Sequence, residues 1–284
     1  MATGLQSTAR TVRVGERVTH TLELGARLHQ DQVWRTHTAD FFDMRSGVMQ
    51  SANLETRVDQ DSFAQARALA LHAQDDVQIG AWHVLPGFRL ESISSFKHDT
   101  GGSPQPALRL TPLPGVGVLH ETTSWMSLFA GANRGFSPVA PGQPDEVRPE
   151  TSWNYEGGLR FDQGATRLEF VGFFNDYENL TGQCSVSGSC VGEQIDQQFS
   201  AGEVWIWGAE VGVGHSVLLP GQLSMPLEGS YTLTQSRFQS SFVSEFPQFG
   251  DVSAGDSLPY LPQHQAAGRI GLRGKRFSSA MGLI

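Results

Sequence analysis

Arginine side chains offer the most specific chemistry in this sequence. A guanidinium group presents a planar fork of donors that matches a carboxylate, so arginines suit the recognition of an anionic iron chelate. The candidates are Arg27, Arg89, Arg134 and Arg160. Arg134 is the candidate ligand-binding residue because it lies just before a long polar segment. An arginine on a strand also commonly pairs with a neighbouring carboxylate, and this alternative stays open for all four.

Carboxylates and histidines are less specific candidates. Asp59 with Asp61, and Asp75 with Asp76, carry the groups that cation binding or acid–base catalysis requires, although such pairs on polar segments are usually solvated. The nine histidines show no metal-binding spacing. The sequence contains no nucleophile elbow, P-loop, dinucleotide-binding glycine pattern or metalloprotease helix. It therefore predicts no enzyme, no cofactor and no metal site.

Two cysteines, Cys184 and Cys190, lie in a polar stretch rich in glycine and serine. A metal site would need more ligands, and no histidine is nearby. The spacing favours a small disulfide that closes a loop in an oxidising compartment.

Composition limits the classes of protein to which the chain can belong. The hydrophobic content is 39%, but no run of about 18 apolar residues occurs, so no transmembrane helix can be drawn. If the chain crosses a membrane, it must do so with strands. The formal net charge of −9, without a cluster of lysine and arginine, argues against a nucleic-acid partner.

Strict alternation of apolar and polar residues is the strongest structural signal. In one segment Leu22, Leu24 and Leu28 alternate with Glu23 and Arg27. The same period recurs at residues 153–161 and 205–214. This period is typical of β-strands with one apolar and one polar face.

The breaks between such segments predict eleven strands and the connections between them. We expect the strands at residues 19–33, 63–81, 88–98, 108–121, 125–136, 151–161, 165–177, 201–215, 223–239, 263–273 and 277–284, with a possible further strand at 9–14. Short turns are expected at 85–87, 122–124, 162–164, 219–221 and 274–276. Long loops are expected at 34–62, 99–107, 137–150, 178–200 and 240–262.

Alternation of short and long connections predicts an outer-membrane β-barrel, in which the loops are long on the outer side only. Aromatic residues near strand ends fit the interfacial girdles of such a barrel: Trp125, Phe129, Trp153, Tyr155, Phe174, Tyr177, Trp205, Trp207 and Tyr231. A soluble β-sandwich has shorter strands and is disfavoured. One segment, residues 168–174, is apolar on both faces, so its inner face requires a cover.

Specific sequences resemble the barrel of TonB-dependent outer-membrane receptors. They are Arg134-Gly-Phe-Ser-Pro138, which runs into a predicted loop, and Pro149-Glu-Thr-Ser152, which opens the next strand. The segments at residues 197–203 and 255–264 are similar to the branch that takes up ferric dicitrate and related siderophores.

The resemblance implies a transmembrane antiparallel barrel of 22 strands, filled by an N-terminal plug, in the bacterial outer membrane. Residues 1–284 would supply about 11–12 of these strands as one partial barrel domain, without the plug and with both ends cut. It also implies import of ferric siderophores, with ferric citrate-like chelates as cargo, powered by the TonB–ExbB–ExbD complex through the absent N-terminal region. Outer-membrane lipid would surround the wall.

Three other functions stay open at this stage. They are a smaller outer-membrane barrel with enzymatic activity, a porin, and a soluble β-structured binding module.

Overall fold

The computed structural model describes residues 1–99, 105–143, 147–183, 198–200, 202–243 and 250–284. Every regular element within these ranges is a β-strand, which confirms the predicted all-β class. Among the described residues, no helix has the length and hydropathy needed to cross a membrane.

Within the described residues, twelve strands form one antiparallel sheet in which each strand pairs with the next of these twelve along the chain. They are β1 (Ala2–Val14), β2 (Thr19–Ala39), β5 (Arg57–Ile79), β6 (Trp82–Asp99), β7 (Gln105–Thr123), β8 (Met126–Ser137), β9 (Glu150–Gln163), β10 (Thr166–Tyr177), β13 (Val204–Leu219), β14 (Leu223–Phe238), β17 (His264–Arg273) and β18 (Ser278–Leu283).

Three small hairpins lie in the connections between these strands. They are β3 (Phe42–Arg45) with β4 (Val48–Ser51), β11 (Thr181–Gln183) with β12 (Gln198–Ser200), and β15 (Phe242–Val243) with β16 (Asp251–Val252).

Short and long connections fall at opposite ends of the sheet, as predicted. The short turns cover residues 15–18, 80–81, 124–125, 164–165, 220–222 and 274–277. The longer connections cover residues 40–56, 100–104, 138–149, 178–203 and 239–263. This distribution is the one that outer-membrane barrels have.

The register confirms that the sheet has one apolar and one polar face, because residues paired across strands share a face. On the apolar face Leu24 pairs with Ala73, and Leu28 pairs with Leu69. On the polar face Arg27 lies opposite Ala70.

The apolar face carries a band bounded by aromatic residues. Trp153 and Tyr155 lie towards the long-loop end of β9, and Phe161 contacts Trp125 at the short-turn end with ring centroids 5.3 Å apart. The eight residue steps from Trp153 to Phe161 span about 27 Å along the strand. At a tilt of about 40° this length rises about 20 Å across the wall, which is close to the apolar band of about 25 Å that faces lipid.

One predicted turn is wrong. Residues 85–87 lie inside β6, and the chain turns instead at Gly80, which has φ +59°, and Ala81. The proline in this segment predicted the end of a strand, but Pro86 only removes one hydrogen-bond donor from the β5–β6 ladder. The ladder is interrupted there, with no pairs between Gln74↔Gly87 and Val77↔Val84.

Two girdle assignments and several strand limits are also corrected. Phe129 and Tyr177 face the polar side, since Phe129 pairs with Gly158 and Tyr177 pairs with Val204. The predicted loop at 34–62 is shorter, because β2 continues to Ala39 and β5 begins at Arg57. The possible strand at 9–14 is confirmed, but it is longer than predicted and begins at Ala2.

Two aromatic rings on the polar face lie close to glycines of the neighbouring strands. A Cβ atom added to Gly158 would lie 2.9 Å from Cζ of Phe129, and one added to Gly208 would lie 2.8 Å from Cζ of Phe173. These glycines therefore form sockets for the rings. Phe173 belongs to the segment 168–174, which is apolar on both faces. The inner face of this segment is thus partly covered by the neighbouring strand of the sheet.

Candidate functional site

The described parts of the β8–β9 loop, residues 138–143 and 147–149, lie over the polar face of the sheet at the long-loop end. Val139 and Val147 are buried, and Arg109 of β7 donates from Nη2 to the carbonyl of Val147 at 3.3 Å. Gly142 has φ +79° and lies against the aliphatic stem of Lys97 in β6, where a Cβ would clash. A glycine is required there for both reasons.

A cavity of about 300 Å³ lies beneath this loop, on the inner surface of β2, β5 and β6. Two cations, Arg35 and Lys97, line it together with one carboxylate, that of Asp31. Nε2 of His29 lies 2.7 Å from Oδ2 of Asp31, so the two side chains form a hydrogen bond. The remaining polar lining comes from Gln60, Ser62 and Gln143.

The β8–β9 loop is joined to the β10–β13 connection by two glutamines. The backbone N–H of Gln198 donates to Oε1 of Gln143 at 2.7 Å, and the backbone N–H of Ala140 donates to Oε1 of Gln198 at 2.8 Å. We call this reciprocal pair the glutamine clasp.

An apolar cluster anchors the β14–β17 loop on the same face. Val204 of β13 and Phe238 of β14 are almost completely buried and pack with Val252 of the loop. Partly buried side chains complete the cluster: Tyr177, Leu180, Ile206, Phe242 and Leu258. The described parts of this loop, residues 239–243 and 250–263, are therefore anchored to β13 and β14 on the polar face.

Arg134 lies on the apolar face, opposite Trp153, at the end of β8. Its guanidinium forms a bidentate ion pair with Glu178 at 2.9 and 2.6 Å and lies over the ring of Trp153 at 5.6 Å. The hydrogen bond from Arg134 holds the pKa of Glu178 below its usual value. The ligand role of Arg134 stays a prediction, and the cationic group is already engaged by a carboxylate.

The other three candidate arginines lie on the polar face. Arg89 pairs with Glu91, and Nε of Arg160 donates to Oε1 of Glu169 at 2.8 Å. Arg27 is exposed. The structure does not bring the four arginines together into one site.

The acidic pairs of the sequence do not form joint sites either. Asp75 contacts His20, whereas Asp76 contacts His83, because neighbouring strand residues point to opposite faces. In the ranges that the structure describes, no group of three or more histidine, cysteine or acidic side chains could hold a metal ion. Cys184 and Cys190 lie outside the described residues, so their disulfide stays a prediction.

Pairing of histidine with acidic residues escaped the sequence analysis. His72 lies 3.5 Å from Glu23, and His83 lies 3.0 Å from Asp76. Only the register of β2, β5 and β6 shows which residues are neighbours. Sequence spacing carries no signal for them.

The family described as TonB dependent receptor-like, beta-barrel, matches residues 2–280. The chain belongs to the TonB-dependent receptor family. In a TonB-dependent receptor barrel the apolar face of the sheet is the lipid side and the polar face lines the lumen. The long connections, including the loop that roofs the cavity, then form the outer mouth.

Solved receptor structures share the fold. The ferric citrate transporter FecA in its unliganded form matches with a TM-score of 0.70 and 20% identity, over 99% of this chain and 41% of that chain. The ferric-catecholate import receptor Fiu from E. coli K12 matches with a TM-score of 0.67 and 16% identity, over 99% and 43%. The siderophore receptor PiuA from Acinetobacter baumannii matches with a TM-score of 0.69 and 13% identity, over 99% and 45%. The chain spans less than half the length of each.

Proposed function

We propose that this chain is part of the barrel wall and outer mouth of an outer-membrane receptor that imports ferric siderophores. The family match over residues 2–280 supports this role. The remaining strands and a plug domain would come from residues outside this chain, and 1–284 would be one partial barrel domain. The complete receptor would take its energy from the TonB–ExbB–ExbD complex and would work as a transporter, not an enzyme.

A ferric chelate with free carboxylates is the cargo that the outer mouth fits best. The observation that carries this proposal is the cavity beneath the β8–β9 loop, which Arg35 and Lys97 line together with Asp31. Both cations already interact with other groups of the chain, so a chelate would share or exchange these partners. Charged hydrogen bonds to a carboxylate are the strong ones, particularly from a guanidinium. A ferric citrate-like complex has the carboxylates that these two cations would recognise.

Iron uptake by whole cells tests the cargo. The full-length receptor gene would be deleted in its host, and entry of radioactive iron would be measured from citrate, catecholate and hydroxamate complexes. We expect loss of uptake from the carboxylate chelate, restored by a plasmid copy of the gene. Unchanged uptake from every complex would exclude ferric siderophore import. Loss restricted to a neutral hydroxamate would keep the transporter and exclude the carboxylate preference.

A closed twelve-stranded barrel, as a small barrel enzyme would need, has no support in the fold. In such a barrel β1 would pair with β18. Within the described ranges β1 pairs with β2 and β18 pairs with β17, and the order of the sheet is open.

A further inference from the structure

We propose that the outer ends of β2, β5 and β6 bind a phosphorylated glycolipid of the outer leaflet on their lipid side. The site consists of Arg67 with Gln30 and, further from the membrane, of the rings of Trp34, Phe63 and Phe96. We call these three rings the aromatic platform. The inference rests on the outer-membrane location in the proposed function and does not depend on the cargo.

The strand register places all parts of this site on the face that meets lipid. Four pairs of β2 and β5 follow one another outward on this face: Leu28↔Leu69, Gln30↔Arg67, Gln32↔Gln65 and Trp34↔Phe63. Phe96 of β6 pairs with Gln65 and so lies on the same face. Towards the outside the face therefore changes from apolar to polar, and then to aromatic.

Leu28 marks the outer edge of the apolar band on β2. It lies 10 positions after the end of the β1–β2 turn at residue 18, and the girdle residue Tyr155 lies 9 positions before the β9–β10 turn begins at residue 164. The two residue steps from Leu69 to Arg67 span about 7 Å along the strand. At a tilt of about 40° they rise about 5 Å above the band. The headgroup layer of one leaflet is about 5–8 Å thick, so Arg67 lies at the level of lipid phosphates.

The aromatic platform lies beyond the reach of an ordinary phospholipid headgroup. The six steps from Leu28 to Trp34 span about 20 Å along β2. With the same tilt they rise about 15 Å. Only a lipid with a large sugar headgroup extends from the apolar band to this height.

Arg67 has the chemistry of a phosphate-binding residue. Its Nε donates to Oε1 of Gln30 at 3.0 Å, and among the described residues its guanidinium has this neutral partner and no carboxylate. The side chain is exposed, and Ser94, its partner on β6, adds an exposed hydroxyl beside it. A guanidinium forms bidentate, charge-assisted hydrogen bonds with phosphate.

The aromatic platform has the chemistry of a sugar-binding surface. The ring centroids of Trp34 and Phe63 are 4.8 Å apart, and those of Phe63 and Phe96 are 5.5 Å apart. Trp34 is 66% exposed, and a group of exposed apolar side chains marks an interaction surface. The C–H faces of sugar rings pack on aromatic rings, while the amide of Gln32 can both donate to and accept from sugar hydroxyls.

A phosphorylated glycolipid presents its groups in the same order as this face. Its acyl chains meet the apolar band, its phosphates meet Arg67, and its sugars meet the aromatic platform. A phospholipid would satisfy only the first two levels. The order of the three surfaces, and the continuity of the site with the lipid-facing band, favour the glycolipid as the occupant.

Lipid binding by the purified full-length receptor tests the site. The receptor, delipidated in detergent, would be titrated with lipopolysaccharide that has a complete core, with a deep-rough form that lacks the outer core sugars, and with phosphatidylglycerol, and native mass spectrometry would count the bound lipids. Arg67→Ala should weaken both glycolipids about tenfold, since it removes hydrogen bonds to a charged group. Trp34→Ala should weaken the complete glycolipid about fivefold and the deep-rough form less than twofold.

Two matched variants control for general effects on lipid binding. Arg237→Ala removes another exposed arginine from the lipid side, beside Trp205 at the outer end of β14. Trp125→Ala removes a girdle ring at the short-turn end. Each should change the affinity for the complete glycolipid less than twofold. Losses as large as those of Arg67→Ala and Trp34→Ala, or equal affinities for phosphatidylglycerol and the complete glycolipid, would overturn the proposal.

Photo-cross-linking in living cells identifies the occupant without removing the site. A benzophenone side chain introduced at position 34 should form an adduct that an antibody to lipopolysaccharide recognises, and one at position 125 should not. An adduct with a second copy of the receptor or with another protein, or the absence of any lipopolysaccharide adduct, would overturn the proposal.

Uptake of ferric chelates enters none of these measurements. A receptor that binds the glycolipid as expected but imports no chelate would exclude the cargo and keep this site. A receptor that imports the chelate but shows no preference for the complete glycolipid would keep the proposed function and exclude the site.

Discussion

The guanidinium of Arg134 holds both carboxylate oxygens of Glu178, at 2.9 and 2.6 Å. Arg134 lies near the end of β8 and Glu178 directly follows β10, so the pair bridges the intervening strand β9. Thr151 of β9 adds a hydrogen bond from its hydroxyl to Glu178 at 3.2 Å. Three strands are thereby joined at the outer rim.

This ion pair predicts a loss of stability at low pH. Glu178 has a pKa below its ordinary value of 4.5, first because Arg134 donates to it and further through the charge of Arg134 and the hydroxyl of Thr151. A carboxylate whose pKa is lower in the folded than in the unfolded protein stabilises the fold at pH values above its unfolded-state pKa. This stabilisation is lost as the pH falls through its folded-state pKa. Since the carboxylate is 51% exposed, we expect at most about 1 kcal/mol.

A double-mutant cycle in lipid vesicles measures this contribution. Arg134→Ala, Glu178→Ala and the double variant would be unfolded in urea at pH 7 and at pH 3. We expect a coupling energy at pH 7 that is smaller at pH 3, below the ordinary pKa of a glutamate. Arg167 with Asp162, a more exposed pair at 3.2 Å, is the matched control and should show less coupling. Coupling that persisted unchanged at pH 3 would contradict this account.

Glycine sockets for aromatic rings predict position-specific damage. Alanine at Gly208 would place a methyl group against the ring of Phe173 and the carbonyl of Leu233. We expect Gly208→Ala to lower the free energy of unfolding by about 1–3 kcal/mol, the usual range for overpacking. Gly212 lies on the same face of β13 with nothing within 4 Å, so Gly212→Ala should be neutral or slightly stabilising. Equal effects at both positions, in urea unfolding, would rule out the socket.

The alternating pattern predicted the strands well because it is a local property. Leu22, Leu24 and Leu28 show the period of a strand without knowledge of any partner strand. Pro86 gave the one wrong turn, since a proline in a wall strand costs a single ladder bond and need not end the strand.

The outer mouth was less predictable because its contacts are long-range and follow no period. Val252 meets Val204, and Gln198 meets Gln143, only after the intervening chain has folded. Phe129 was expected in the girdle, yet its face depends on the register of β8 rather than on its hydropathy. The location of the cavity likewise depends on where the β8–β9 loop contacts the polar face of the sheet.

Charge in the cavity predicts selectivity for anionic chelates. Lys97→Ala and Arg35→Ala each remove a cation from the lining. We expect each to weaken the Kd for a carboxylate chelate about tenfold or more, since a hydrogen bond to a charged group contributes about 1.5–3 kcal/mol. Binding of a neutral hydroxamate chelate should change less than twofold.

Calorimetry with the purified receptor provides the measurement for both variants. Lys275→Ala, in the short turn at the opposite end of the barrel, is the control that removes a charge without touching the mouth. Parallel losses for the neutral and the carboxylate chelates would mean that the substitutions distort the mouth instead of removing a recognition charge.

The exposed hairpin of β3 and β4 predicts tolerance to deletion. All of its residues are exposed, and its turn uses Ser46 and Gly47 with φ of 50° and 78°. The base is closed by a bond from the N–H of Ala52 to the carbonyl of Phe41 at 3.0 Å. We therefore expect that replacing residues 42–51 by Gly-Ser changes the unfolding free energy by less than about 0.5 kcal/mol, as for surface changes in general. A larger loss in urea unfolding would mean that the hairpin supports the wall.

The two edges of the sheet predict how the chain behaves on its own. Strands β1 and β18 are exposed along their whole length, and the lipid-side band leaves large apolar side chains such as Leu28, Leu108 and Met281 exposed. Open edges and apolar bands both drive association in water.

Residues 1–284 expressed alone should aggregate in plain buffer and stay dispersed in detergent, as measured by sedimentation. Lysines on the lipid side of the two edge strands, Leu5→Lys with Leu283→Lys, should delay aggregation. The control pair Thr8→Lys with Gly282→Lys lies on the luminal face of the same strands. It should delay aggregation less because the lipid-side band stays intact. A chain that remains monomeric without detergent and unfolds cooperatively would contradict the assignment of this face to lipid.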